Sequence, residues 1–338
     1  MRNNNEKSRN KKLNVGIELL RFILCLWIVI IHCSNIKSKH WKYLKRGFHV
    51  PTFILISFYF YYPILQKREK IKITMRFQRL LFPYILWPII IFILNNFFSI
   101  RAVSIGGPRK LSVYDIYIQI LTGTNYHTIF WFQFNLIFLS LCMTIISFIL
   151  KKNFLIAFEL LGILSLYLHF SGINYKLFIS FNIRYKMSLG SLIELFPIAI
   201  IGSIYSSINL LLKIKNIRLH FYLILFSLIH IFFKYDLFMN FNGCIYPNVL
   251  LNLVSSSILF ILFGSFNDDK FKIIEYFSKF TGGIYYIHPI IRNCLGKYFL
   301  FIRKKSYFSS YFIYIINYIF CYIGSKIFKN NILKYLFI

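Results

Sequence analysis

The sequence predicts an all-α polytopic membrane domain of about ten transmembrane helices, and three observations carry that prediction. Apolar stretches of about 17–25 residues recur along the whole chain, separated by short polar joints. With 58% hydrophobic residues and a mean hydropathy of +0.62 over 338 residues, the chain is too oily for a soluble domain. No segment is both polar enough and long enough to form a second, soluble unit. Residues 1–12 read as a disordered basic N-terminus, and residues 13–338 as one membrane domain.

Taken in order, the spans fall near residues 13–33, 48–65, 80–100, 128–150, 154–171, 190–212, 218–234, 246–264, 281–301 and 307–328. The basic start resembles the n-region of a signal peptide. The apolar run after it is too long and lacks a small-residue cleavage site, so it is read as an uncleaved first span. The segment 111–122 is short and is followed by Gly123, which suits a re-entrant or interfacial piece. No internal repeat is visible, hence no sign of the inverted halves common in transporters. With the N-terminus inside, the inner joints hold Arg2, Lys7, Arg9, Lys11 and Lys12, then Lys67, Arg68, Lys70, Lys72, Arg76 and Arg79. An outer joint holds Lys37, Lys39, Lys42, Lys45 and Arg46, so the bias is modest, and it favours both termini inside.

The formal charge is +30, with ten acidic residues. Lys and Arg are spread over the joints and form no nucleic-acid-binding motif, so the expected partner is membrane lipid, with anionic headgroups, and not nucleic acid. The six cysteines lie in or beside apolar runs without C-x-x-C spacing, so neither a zinc site nor a disulfide framework is expected. No G-x-S-x-G elbow, H-E-x-x-H helix, Walker loop or Rossmann glycine pattern is present.

The first span is the most informative. It holds Glu18, Arg21 and His32, the last two eleven residues apart. Eleven steps of about 100° end about 20° past three full turns, so Arg21 and His32 share a face, about 16 Å apart along it. Glu18 lies one turn before Arg21 on that face. Ionisable groups at membrane depth are expensive and mark function. His32 reads as a general base for an acceptor hydroxyl, or as an idle interfacial histidine; the face shared with Arg21 favours the base. Arg21 reads as a binder of phosphate or of a developing oxyanion, or as the ion-pair partner of Glu18, and Glu18 holds it in place in either case.

Two further stretches stand out. In Thr74-Met-Arg76-Phe-Gln-Arg79-Leu-Leu-Phe-Pro83-Tyr84, two arginines one turn apart suit the phosphates of a nucleotide-bearing donor, or serve as ordinary basic flanking residues. In Thr281-Gly-Gly283-Ile-Tyr285-Tyr-Ile-His288-Pro289, His288 and Tyr285 suit the wall of a polar cavity, or the core of a kinked helix. His127, Trp131, Glu159, His169, Glu194 and His230 are single polar or amphipathic residues in apolar runs, each read alone as structural, although Glu194 is unusual for lying mid-span.

These residues resemble the membrane acyltransferase-3 family, whose opening signature is an acidic residue, an arginine three later and a histidine after ten more; here Glu18, Arg21 and His32. The likeness continues in order through Phe48-His-Val-Pro51-Thr-Phe53-Ile-Leu-Ile-Ser57-Phe58, Arg76-Phe-Gln-Arg79-Leu-Leu-Phe-Pro83-Tyr84, Trp131-Phe132, Phe196-Pro-Ile-Ala-Ile-Ile-Gly202 and Gly283-Ile-Tyr285-Tyr-Ile-His288-Pro289. Two departures are visible. Phe58 stands where the family usually carries glycine, and Arg76 and Arg79 are separated by two residues where many members use one. No extra esterase-like domain is expected.

The resemblance implies transfer of an acyl group, commonly acetyl, from acetyl-CoA or another acyl-CoA in the cytosol to a hydroxyl of a glycan or related acceptor. It assigns His32, Arg21 and Glu18 to the chemistry and Arg76 and Arg79 to the donor phosphates. Tyr285, His288, Trp131 and Ser57 line the cavity, and no metal takes part. A multi-pass location follows: the plasma membrane in a bacterium, or an internal membrane in a eukaryote. A transporter or flippase of a lipid-linked saccharide is the competing reading, since buried charges suit it too.

Overall fold

The computed structural model describes residues 14–33, 48–97, 110–123, 130–170, 183–213, 248–266, 273–298, 307–329 and 331–338, and these are helical with no strand among them. The helices are α1 (Val15–Cys33), α2 (His49–Gln66), α3 (Lys70–Asn96), α4 (Val113–Thr122), α5 (Phe130–Leu150), α6 (Phe154–Phe170), α7 (Ile183–Ser207), α8 (Leu210–Lys213), α9 (Asn248–Gly264), α10 (Ile274–Ser278), α11 (Thr281–Tyr298) and α12 (Tyr307–Ile327). Short 3₁₀ turns cover Lys151–Asn153 and Ile332–Leu336.

The fold class read from the sequence holds: this is an all-α membrane domain. Among the described residues, stretches of α1, α3, α5 and α12 are long and apolar enough to cross a membrane, and α6, α7 and α9 contain shorter apolar helices. The expected span at 218–234, the basic N-terminus 1–12 and the cluster from Lys37 to Arg46 lie outside the described residues, as do His127, His230 and the side chain of His169.

Two boundaries differ from expectation. The third span, expected from 80, begins at Lys70 and runs to Asn96. Hydropathy marks where the apolar window begins, whereas the backbone continues as helix through Lys70, Lys72, Arg76 and Arg79. Long cationic side chains cost a helix little and reach out of the hydrocarbon. The segment at 111–122 is a capped helix, α4. Ser112 and Asp115 form a reciprocal capping box, and Gly123 ends the helix at φ 70°. It lies along α3, with Asn96 Nδ2 donating to Leu111 O (2.6 Å) and Tyr84 Oη to Ile120 O (2.6 Å).

Large apolar residues face outward at helical spacing. Ile156, Leu160, Ile163 and Tyr167 do so on α6, and Tyr311, Ile315, Ile319 and Tyr322 on α12. In lipid such stripes need no partner. The interior combines a packed apolar core with close backbone approach and polar contacts. α1 packs against α2, α9, α10, α11 and α12. Asn14 caps α1, its Oδ1 accepting from Ile17 N (3.0 Å) while its Nδ2 donates to Gly264 O (2.8 Å), which ties the helix start to α9. The pair α2 and α7 meets at Gly202, where a Cβ would stand 2.4 Å from Leu55 O. The C-terminal turn folds back on α11, and a Cβ on Gly283 would stand 2.6 Å from the Phe337 backbone.

Candidate active site

Glu18 is buried, 3% exposed, on the face of α1 that meets α10 and α11. Arg21 Nη1 donates to both its oxygens, at 3.0 and 2.9 Å, and Ser278 Oγ donates to Oε2. Arg21 reaches on to α11 through Nη2 to Thr281 Oγ1 (3.3 Å). Thr281 Oγ1 in turn donates to Ser278 O (2.9 Å), so the turn between α10 and α11 wraps the carboxylate. An i,i+3 pair on one helix is the local element; the hydroxyls from 260 residues away supply the remaining partners that a buried charge requires.

At the far end of α1, the His32 and His288 rings lie 5.3 Å apart between centroids, inclined at 41°. Arg292 Nη1 donates to His32 O (2.6 Å), pairing one of the carbonyls left over at a helix C-terminus. Since Arg21 meets Thr281 and His32 meets Arg292, both across 260 residues, α1 and α11 run parallel in constant register. Arg21 and His32 thus face one helix. His288 is fully buried, with Nδ1 3.1 Å from Ile284 O. Tyr285 stands 6.3 Å from His288 and 5.4 Å from Phe132 of α5.

Arg76 and Arg79 do not converge. Arg76 points inward from α3: Nη2 donates to Ser57 Oγ (2.8 Å) and Ser140 Oγ (3.0 Å), Nε to Ser140 Oγ (3.2 Å), and the guanidinium lies 4.0 Å from the Tyr61 ring centroid. These contacts are neutral, and the described ion pairs are Arg21 with Glu18 and Lys72 with Glu69. Arg79 is exposed and lies 5.7 Å from the Tyr335 ring, in the C-terminal turn. Phe58 is a fully buried ring whose centroid lies 5.5 Å from the Arg76 guanidinium. Ser57 therefore belongs with Arg76, and Trp131 packs beside Phe132 at 6.4 Å.

Sequence reasoning missed Ser140, Ser278 and Arg292. Ser140 and Ser278 are small hydroxyls within helices, and no spacing flags them. Arg292 was detectable as a second cation one turn beyond His288. Among the described residues no group of three or more His, Cys, Asp or Glu side chains is placed to hold a metal ion.

A sequence model of the acyltransferase-3 family, described as an acyltransferase domain, matches residues 14–320. The chain belongs to the acyltransferase-3 family. No curated protein and no solved structure matches it. The matched residues include every side chain of the site described above except Tyr335. Membership makes this an acyltransferase, and its apolar helices make it an integral membrane protein.

Proposed function

We propose that this protein is a multi-pass membrane O-acyltransferase. It moves an acetyl or other acyl group from acyl-CoA at the cytosolic side to a hydroxyl of a cell-surface glycan or related acceptor. The observation that carries the reading is the polar stripe of α1, Glu18, Arg21 and His32, which meets α11 at both ends. In a chain whose outer surface is apolar, such a seam offers a route for the acyl arm between the two faces. The parallel run of α1 and α11 supports it, because an odd number of crossings must lie between them, and the seven expected from the sequence meet that condition.

His32 takes the proton of the acceptor hydroxyl as its oxygen attacks the thioester carbonyl. Arg21, about 16 Å back along the same face, is too far to reach that carbonyl and serves as a cation beside the extended thioester arm. The C–S bond breaks as the new C–O ester bond is completed, and the imidazolium returns its proton to the CoA thiolate. Arg76 would meet a donor phosphate, since its present partners are uncharged and leave its charge unneutralised. Arg79, exposed on the same helix, would meet a second.

Mass spectrometry of surface glycans from cells with and without the gene tests the proposal. Loss of the ester mass from an otherwise intact glycan supports it. Glycans that keep every ester while export to the surface fails would make the protein a transporter.

A further inference from the structure

We propose that His288 is a positioning residue for His32, fixing which ring nitrogen of His32 faces the acceptor hydroxyl. This rests on the reading of His32 as the base. His288 Nδ1 is 3.1 Å from Ile284 O, a carbonyl that can only accept, so Nδ1 carries the proton. In the neutral ring, Nε2 is then an acceptor. That ring is 0% exposed, so water does not compete for its lone pair.

The neighbouring imidazole is His32. The two rings lie 5.3 Å apart between centroids and make no hydrogen bond to each other in this structure. A turn of the exposed His32 ring would carry one of its nitrogens toward His288 Nε2, and as proposed this bond forms when the acceptor enters. An N–H of His32 donated to His288 leaves the other His32 nitrogen bare, and that is the form a general base needs. His32 is the exposed ring of the two, so its bare nitrogen has access to an entering acceptor. Once His32 has taken the hydroxyl proton it holds two N–H groups, one still directed at His288. The same contact therefore orients the imidazolium that must later protonate the thiolate. A buried orienting group behind a reacting imidazole is the arrangement by which catalytic histidines are commonly held in one tautomer.

The local backbone holds His288 for this task. Pro289 lacks the N–H that would close the turn onto Tyr285 O, which loosens α11 at this point. The His288 side chain ties that turn through Ile284 O, and Arg292, one turn on, pins α11 to the His32 carbonyl. The ring-to-ring distance is thus set from both sides.

The test uses full-length His288→Leu, His288→Gln and His288→Asn in membrane vesicles from the native cell, which carry their own acceptor, with radiolabelled acetyl-CoA as donor. A glutamine amide can place a polar atom near the position of Nε2, whereas asparagine is too short to do so. Leu should lower the maximal rate at least about tenfold with KM for acetyl-CoA unchanged, Asn should resemble Leu, and Gln should recover most of the rate. The Gln and Asn comparison remains decisive if Leu fails to accumulate in the membrane. Equal rates for Gln and Asn, or a Leu protein at the wild-type rate, would overturn the proposal. His32→Ala in the same vesicles separates the two levels. A dead His32→Ala beside an unimpaired His288→Leu removes only the positioning role, and an active His32→Ala removes the base itself.

Discussion

Replacing Arg21 by Met leaves the Glu18 carboxylate inside the protein, with Ser278 as its one remaining partner among the described residues. Arg21 Nη1 now makes two charge-assisted bonds to that carboxylate, at 2.9 and 3.0 Å, and Glu18 is 3% exposed. Orphaning a buried charge costs about 3–5 kcal/mol, and the Arg21 side chain, 33% exposed, places this pair at the lower end, about 3 kcal/mol. Glu18→Gln should cost less, about 1 kcal/mol, because its amide retains a partner in Ser278 and the partly exposed guanidinium can turn toward water or headgroups. The double variant Glu18→Gln/Arg21→Met holds no unpaired charge and should lose about 1 kcal/mol in all. The double-mutant cycle therefore predicts a coupling of about 3 kcal/mol, read from denaturant or thermal unfolding in detergent. Acyl transfer should not recover with stability, since the double variant lacks the cation. Additivity within about 0.5 kcal/mol would refute the claim that Glu18 depends on Arg21 for its burial.

Other substitutions probe the remaining parts. Arg76→Gln removes a cation whose bond to a donor phosphate is worth about 1.5–3 kcal/mol, so KM for acyl-CoA should rise about 10–100-fold, measured by donor titration; an unchanged KM would take Arg76 out of the donor site. Gly202→Ala drives a Cβ to 2.4 Å from Leu55 O, so α2 and α7 must separate, costing about 1–3 kcal/mol; an unaltered melting temperature would contradict that packing. Gly283→Ala meets the Phe337 backbone at 2.6 Å and should release the C-terminal turn, read as faster proteolysis after residue 328; wild-type cleavage would contradict the docking.

Periodicity made part of this site legible. Glu18 and Arg21 are paired by helical spacing alone, and the face they share with His32 follows from the pitch of one helix. What spacing could not supply is the partner. His288 lies 256 residues from His32, and only the parallel packing of α11 on α1 brings the two rings together. The same holds for Arg76. Its charge is plain in the sequence, but a reading from spacing sets it beside Arg79, whereas Ser57, Ser140 and Tyr61 turn it inward. Ser140 sits in an apolar run of α5, where a hydroxyl leaves no periodic trace. Helix boundaries failed for a related reason: hydropathy locates lipid, while α3 continues past it into Lys70 on backbone hydrogen bonds that do not register composition.

The proposed reaction turns on His32, at the end of the polar stripe of α1, abstracting the acceptor proton. The most direct test is transfer of labelled acetyl from acetyl-CoA to the host's surface glycan in vesicles containing either the wild-type protein or His32→Ala at equal membrane abundance. A positioned base contributes about 10²–10⁴-fold, so the variant should lose at least about a hundredfold in rate. A His32→Ala protein that acetylates at the wild-type rate would contradict the account.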